Sequence, residues 1–481
     1  MLICIPNQAI SLAVGAIIGG VGALCRGMNR ISPYRVVAFL LGVLYLLSAS
    51  LNPSGDSLAY AADAMDGAAA VYPHHLLYGP LCHALVHLLP SMDALRLLQA
   101  MNALLGVGCL LLLGRIVLAV AECESAASSA VLLCGSCFGF MRFATDNEVY
   151  LLWAFFALMT VWYVLRFLYE GRVRYLLALS AAASLACLSH QLGILIWAPT
   201  LVLLFARRQF RSVVVYLAVS LSVPLTYVAF NGGVAGLMGF VLHDYVSGTA
   251  QGPVLSQVLL LTPISVVRTF VQVHASTLAF MHAHVVLFAA LAAVLVIAVV
   301  VAVVALFPIR RRAADRGFAW YCASIALLVL AFAAYSNGNA EFMVQLPFML
   351  MIVLCQVVQV RKSLLYASAG LMLWNLVFGL SMQRRPDLTT DSALVEFVHD
   401  HPQFGYDLAD PVPIENLYHY RYYPDTMSRS ASAIMLTDKF SPQAFTRHSL
   451  THQSPSAASD SALLVATFSS YIGSRTLHRV R

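Results

Sequence analysis

Residues 52–80 carry the densest chemistry in the chain. The stretch runs Asn52-Pro-Ser-Gly-Asp56-Ser-Leu-Ala-Tyr60, then Asp63, Asp66, Tyr72, His74, His75 and Tyr78. A carboxylate at a membrane surface can take a proton from a hydroxyl as general base, or hold a divalent cation. Asp56 is the first candidate for either role. The competing reading is structural: Asp56 precedes Ser-Leu-Ala-Tyr-Ala-Ala, and Asp is a favoured helix N-cap. Asp63 and Asp66 read as the wet face of the same short helix. His74 and His75 are adjacent imidazoles, which can donate to a phosphate or ligate a metal, or simply sit at the interface with Tyr72 and Tyr78. His83 and His87 have the i, i+4 spacing of a zinc pair, with no third ligand evident, so the identity of any metal stays unknown.

A second cluster lies at Asp146-Asn147-Glu148, with Arg142 one helical turn before it. A carboxylate pair beside an Arg is either an ion pair or part of a site. The guanidinium fork suits bidentate phosphate contact. His190 sits in a short turn, as a cap or as a ligand, and Glu341 carries the same two readings.

The elements that must position these residues are membrane spans. Of 481 residues, 60% are hydrophobic and 10% are charged, which describes a polytopic membrane protein. The net charge of +6 is no nucleic-acid signal, because Lys362 and Lys439 are the only lysines and the arginines cluster between apolar runs. That pattern is a topology signal. The ten cysteines lie within or beside apolar runs before residue 356 and form no disulfide framework. Clusters at Arg26–Arg35, Arg166–Arg174, Arg207–Arg211, Arg310–Arg316 and Arg361-Lys362 mark cytoplasmic turns. Spans are predicted at 36–51, 93–118, 127–143, 149–165, 175–189, 191–206, 212–230, 284–307, 318–335, 342–360 and 364–381, of which 175–189 and 191–206 are short for the bilayer and read as tilted partners or sites of local thinning.

Parity between Asp56 outside and Arg166 inside demands that one apolar candidate fails to cross. His74–Leu89 is the weakest, so it is predicted to lie on the outer face as an amphipathic helix. Arg142, Asp146, Glu148, His190 and Glu341 then share the side of Asp56. So does a loop over 231–280, with Arg268. Arg96, Arg142 and Arg268 are outside arginines against the usual bias and call for a reason.

Three segments follow. Residues 1–33 are an apolar, glycine-containing stretch and a basic linker, with Met28 an alternative start to Met1. Residues 34–382 form the membrane domain, with its chemistry in the first outside loop, 52–92. Residues 383–481 change composition to balanced charge and short apolar runs. They are predicted to be a small extracytoplasmic α/β domain, with a helix over 391–400, buried strands over 433–438 and 462–467, and a Ser-rich loop over 452–461.

In this order the motifs resemble the C-type (GT-C) superfamily of integral membrane glycosyltransferases, and within it the protein O-mannosyltransferase-like branch. The resemblance rests on Gly55-Asp56-Ser57 after the first span and on Tyr72-Pro-His-His-Leu-Leu-Tyr78. It rests also on Asn147-Glu-Val-Tyr-Leu151 opening a span, and on Ser189-His-Gln191 before a run ending in Pro199. It covers about residues 34–381.

The resemblance implies an all-α polytopic fold of about 11–12 transmembrane helices carrying the C-terminal domain. It implies a catalytic Asp56, assisted by Glu148, and a sugar donor, mannose among the candidates, on a polyprenyl phosphate. His74, His75, Tyr78, Arg142, Asp146, His190 and Arg268 are the expected substrate-binding residues. Partners are the donor lipid, the bilayer and a protein or glycolipid acceptor, with no nucleic acid. No particular cofactor is implied, and a divalent cation is compatible with the carboxylates. The expected location is a multi-pass inner or plasma membrane protein with its site on the outer face. The rival class is a transporter or flippase of a lipid-linked anion, which would use the same Arg and His without chemistry and would need polar groups near the bilayer midplane.

Overall fold

A computed structural model describes residues 32–66, 75–240, 242, 255–273, 275–305, 315–358, 362–408, 410–425, 427, 435–442 and 463–479. His74, the start region 1–31 and the Ser-rich stretch 452–461 lie outside the described residues.

The membrane part is helical because apolar backbone in lipid must satisfy every N–H and C=O within its own segment. Among the described residues, seven helices are long and apolar enough to cross a bilayer, and eight if one bent pair is counted as a single span. The seven are Ala94–Ala121, Tyr150–Glu170, Phe210–Phe230, Val285–Val304, Arg316–Tyr335, Ala340–Val357 and Ser363–Gln383. Shorter apolar helices cover Pro33–Leu47, Val173–Ser189, Gln191–Ala206 and Leu255–Phe270. Local signals agree with these bounds. Asp93 caps the first long span by accepting from Arg96 N at 2.9 Å, and Asp315 caps another through Gly317 N and Phe318 N. Gly171 closes Tyr150–Glu170 with φ +66°, a conformation glycine adopts without cost.

Two departures from the sequence reading matter for the site. The predicted span 127–143 is Glu124–Ser136 followed by Phe138–Ala144, bent by 72° at Cys137. The break frees the Ser136 carbonyl, and Asn375 answers it: its Nδ2 donates to Ser136 O and to Phe270 O, both at 2.7 Å. Its Oδ1 accepts from Gln272 N at 2.9 Å. One fully buried amide thus joins the broken span, the last span and the end of Leu255–Phe270. The second departure is that last helix. The predicted loop 231–280 instead holds Val234–Phe240, Leu255–Phe270 and Ala275–Ala283. Leu255–Phe270 packs on Phe138–Ala144 and on the turn Ala340–Met343, so Arg268, Arg142 and Glu341 belong to neighbouring elements.

The helix Tyr78–Leu88 has 11 residues, about 16 Å of rise. That is shorter than the roughly 20 residues a transmembrane helix needs.

The tail domain contains a four-stranded sheet of order β1-β2-β4-β3, with β1 Gly405–Asp407, β2 Met435–Pro442, β3 Leu463–Ser469 and β4 Gly473–Arg479. β1 pairs with β2 in parallel, and the other two pairings are antiparallel. The helices Asp391–Asp400 and Pro411–Tyr422 cover it through Leu394, Val395, Val398 and Ile414, against Leu436 and Leu477. The apolar run at 462–467 predicts a buried strand for β3. It is the edge strand, with Leu464 56% exposed, because β4 occupies the interior position.

Candidate active site

The first loop is a short helix, Gly55–Asp66, held by hydrogen bonds to the turn 146–148. Ser54 Oγ accepts from Ser57 N at 3.0 Å, which makes Ser54 the N-cap. Asp56 therefore has no capping duty, and the structural reading of it falls away. Ser54 N donates to Asp146 Oδ2 at 3.0 Å, and Ser54 Oγ donates to Glu148 Oε1 at 2.5 Å. Three residues on, Ser57 Oγ donates to Asn147 O and Asn147 Nδ2 returns a bond to Ser57 O. Asp56 sits between these two clasps. Its carboxylate has no hydrogen bond or ion pair among the described residues, and the residue is open to solvent on one side.

The two candidate carboxyls differ in electrostatics. Burial raises the Asp56 carboxyl above its ordinary value. Glu148 is 4% exposed and is raised well above the usual range, first by burial and then by Asp146, with the Ser54 hydroxyl opposing and Asp56 and Glu341 adding. Both carboxyls are thus raised, the buried Glu148 further, and Asp56 is the one open to solvent and to an approaching hydroxyl.

Around them stand rings and hydroxyls. Tyr60 lies one turn after Asp56 on the same face, a spacing legible in the sequence but not singled out there. Its phenol is pushed up by burial, Glu148 and Asp56, and its ring meets His75 at 6.2 Å and Tyr78 at 5.2 Å. His75 stacks on His190 at 4.8 Å between centroids, since Leu77 N bonds Leu188 O and draws the two segments together. His190 Nδ1 accepts from Leu192 N at 3.0 Å, which leaves its ring proton on Nε2. Tyr150 donates to Glu341 Oε2 at 3.1 Å and lies 5.3 Å from the His190 ring.

Some expected substrate ligands are turned inward instead. Tyr78 is fully buried and donates to Asn147 Oδ1 at 2.5 Å. Asp146 is fully buried and paired with Arg142 at 3.1 Å. Arg142 Nη1 also donates to Gln383 Oε1 at 2.7 Å and Asn52 O at 3.3 Å. Tyr78 and Asp146 meet protein partners, and Arg142, its side chain 21% exposed, is held to protein through Nη1 and Nη2. Arg96 has the same character, donating to Ser50 O and Gln99 Oε1. Arg268 differs: its buried Nε has no partner, and it makes no ion pair among the described residues. Asn147 and Asn102 are the hubs that sequence reasoning missed. Asn102 donates to Asp146 O and Glu148 O, and nothing in a lone Asn within an apolar run announces such a role. Among the described residues no group of three or more His, Cys, Asp or Glu could hold a metal ion. His83 and His87 bond the carbonyls of Ala64 and His83.

The tail domain reaches this helix. Asn416 donates to Gly55 O at 3.0 Å, Tyr420 to Asp93 at 2.7 Å and Tyr423 to Asp66 at 3.0 Å. Asn416→Ala is expected to remove about 0.5–1.5 kcal/mol of support beside Asp56, lowering kcat several-fold with donor KM unchanged. Steady-state kinetics check it, and an equal rise in KM alone would assign Asn416 to substrate binding instead.

Against known proteins, a family model for dolichyl-phosphate-mannose-protein mannosyltransferase matches residues 77–229. That segment contains Tyr78, Arg142, Glu148 and His190 but not Asp56. Among solved structures, ArnT from Cupriavidus metallidurans bound to undecaprenyl phosphate aligns over 94% of this chain and 98% of its own, with TM-score 0.56 and 11% identity. The chain has the GT-C fold. Arabinosyltransferase EmbB from Mycobacterium smegmatis aligns over 82% of this chain and 36% of its own, with TM-score 0.41 and 15% identity. No curated protein sequence matches. Its apolar helices and this shared fold make the chain an integral, multi-pass membrane protein.

Proposed function

We propose that this GT-C protein transfers a sugar, with mannose the first to test, from a polyprenyl-phosphate donor to a hydroxyl acceptor at the outer face of the membrane. Support for the donor comes from the undecaprenyl phosphate bound by ArnT. The observation that carries the chemistry is Asp56: an unpartnered carboxylate, released from capping by Ser54 and held between the Ser54 and Ser57 clasps. Asp56 removes the acceptor proton as that oxygen bonds the anomeric carbon. The sugar–phosphate bond breaks, and its electron pair leaves with the polyprenyl phosphate, so the anomeric centre inverts. Arg268, His75, His190 and His74 hold the leaving phosphate. Glu148 orients the loop through Ser54, while Arg142, Asp146 and Tyr78 fix its support. In this reading the carboxylates act as base and brace. The acceptor, a protein or a glycolipid, meets the face that the tail domain borders.

The test is transfer itself. Purified protein with radiolabelled polyprenyl-phosphate mannose and a mixed acceptor pool should yield a labelled product stable to the mild acid that releases the sugar from its donor. Translocation of the donor across vesicles without any product would favour the transport reading.

Orientation has its own test. Reporter fusions after residues 122, 170, 209, 314 and 362 should read cytoplasmic, and those after 70, 146, 190, 250, 338 and 400 outside. A cytoplasmic signal at 146 would place Glu148 across the membrane from the expected side.

A further inference from the structure

Two adjoining cavities lie at the end of the bundle opposite Asp56. Arg96, near the first loop, and Arg115 are on one helix, Ala94–Ala121, about 28 Å apart along it. The cavities therefore face the other leaflet. One, of about 460 Å³, is a furrow between Ala94–Ala121 and Tyr150–Glu170, walled by Leu111, Leu112, Phe155 and Met159 and floored by Gly108. A side chain at Gly108 would meet Phe155 at 2.8 Å, so the absent Cβ lets that ring lie close to the helix as the furrow's wall. The second, of about 470 Å³, shares Tyr34, Arg35, Arg115 and Trp162 with the first and adds Arg166. An apolar trough thus runs into a cationic end.

The charges there are not balanced by the protein. Arg115 has no hydrogen bond or ion pair among the described residues, and it lies six residues before the helix end at Ala121, about 9 Å inside it. Among the described residues the Arg35 guanidinium bonds the Tyr34 hydroxyl at 3.3 Å and lies over that ring, with no ion pair. The carboxylates that face the pair are Glu124, which acts on Arg35 through space without an ion-pair contact, and Glu170, which is engaged by Arg166, Arg172 and Arg174. Arg166 lies over Trp162 and donates to Tyr175, so it forms a rim rather than a free ligand. Long side chains near span ends commonly snorkel to water, and that accounts for one arginine. It does not account for two unpaired guanidiniums converging at the mouth of an apolar trough in a helix–helix seam, a form suited to a lipid headgroup.

We propose that this seam binds an anionic phospholipid of the leaflet opposite the candidate active site. Arg35 and Arg115 would take the headgroup phosphate, and the Gly108 furrow one acyl chain. The charge complementarity of two unpaired guanidiniums and the continuity of the apolar wall select a lipid phosphate over a free one.

The experiment is lipid retention. Full-length protein is reconstituted in nanodiscs of equimolar phosphatidylcholine and phosphatidylglycerol, and the lipids kept after transfer to detergent are counted by native mass spectrometry. Wild type should retain phosphatidylglycerol selectively. The exposed pair changed together, Arg35→Gln with Arg115→Gln, should lose about tenfold or more of that retention, the scale of lost charge-assisted phosphate contacts. Met159→Trp fills the furrow, leaves both charges and should also lose it. Arg172→Gln, exposed on the same face and already paired with Glu170, should not. Equal retention of both lipids, an equal loss in Arg172→Gln, or displacement by inorganic phosphate would each overturn the proposal. So would displacement by undecaprenyl phosphate at equal concentration, which would assign the seam to donor handling.

Discussion

Asp56→Asn lowers sugar transfer by about 10²–10⁴-fold, the scale of a lost general base, with insertion and thermal melting unchanged. The structure makes this substitution unusually clean. Ser54, not Asp56, caps the helix, and the Asp56 carboxylate holds no partner whose loss would disturb folding. Asn keeps the shape but cannot accept the proton. The pH profile supplies a second readout. Burial raises the Asp56 carboxyl, so its ionised fraction falls at a higher pH than that of an ordinary carboxylate, about 3.9. Wild-type activity should therefore decline on acidification above that value, and the residual activity of Asp56→Asn should lack the limb. Full transfer by the Asn variant would remove Asp56 from the chemistry and leave binding or transport in front.

The second large effect is on stability. Arg142→Gln should destabilise the protein by about 3–5 kcal/mol, the usual result of stranding one member of a buried pair. Asp146 is fully buried and would keep only backbone donors, Ser54 N and Asn147 N. The variant also loses the bonds from Arg142 to Gln383 and Asn52, which tie the first loop to the end of the last span. Thermal melting in detergent checks it, and Arg142→Lys should fall between, since a point charge cannot reproduce the fork. Unchanged melting together with lost transfer would return Arg142 to direct phosphate contact.

Much of the scaffold is legible in the sequence because lipid is a strict solvent. A span must be apolar over its whole length, so the runs at 93–118, 149–165, 284–307, 318–335 and 364–381 announce themselves without any knowledge of packing. The same logic makes His74–Leu89 too polar and too short to cross. In the tail, the period of apolar residues marks Asp391–Asp400 correctly. These are properties of single segments, and single segments are what a sequence displays.

The site is different, since its parts are made by partners distant in the chain. Asp56 could be named from its surroundings, but whether it capped a helix depended on Ser54 reaching Ser57. Its state depended on Asn147 and Glu148 arriving from some 90 residues away. Arg142 and Tyr78 carry chemistry fit for a phosphate, and only packing reveals that protein acceptors already occupy them. The bend at Cys137 is silent in sequence because its remedy, Asn375, lies in another span. The helix at Pro411–Tyr422 reads as an ordinary polar segment until it sets Asn416 on Gly55. Composition and periodicity determined that this chain is a membrane bundle with a charged first loop. Tertiary structure decided which of the loop's polar groups are satisfied by protein and which are left for a substrate, because a hydrogen-bond partner is a fact of position and not of residue type.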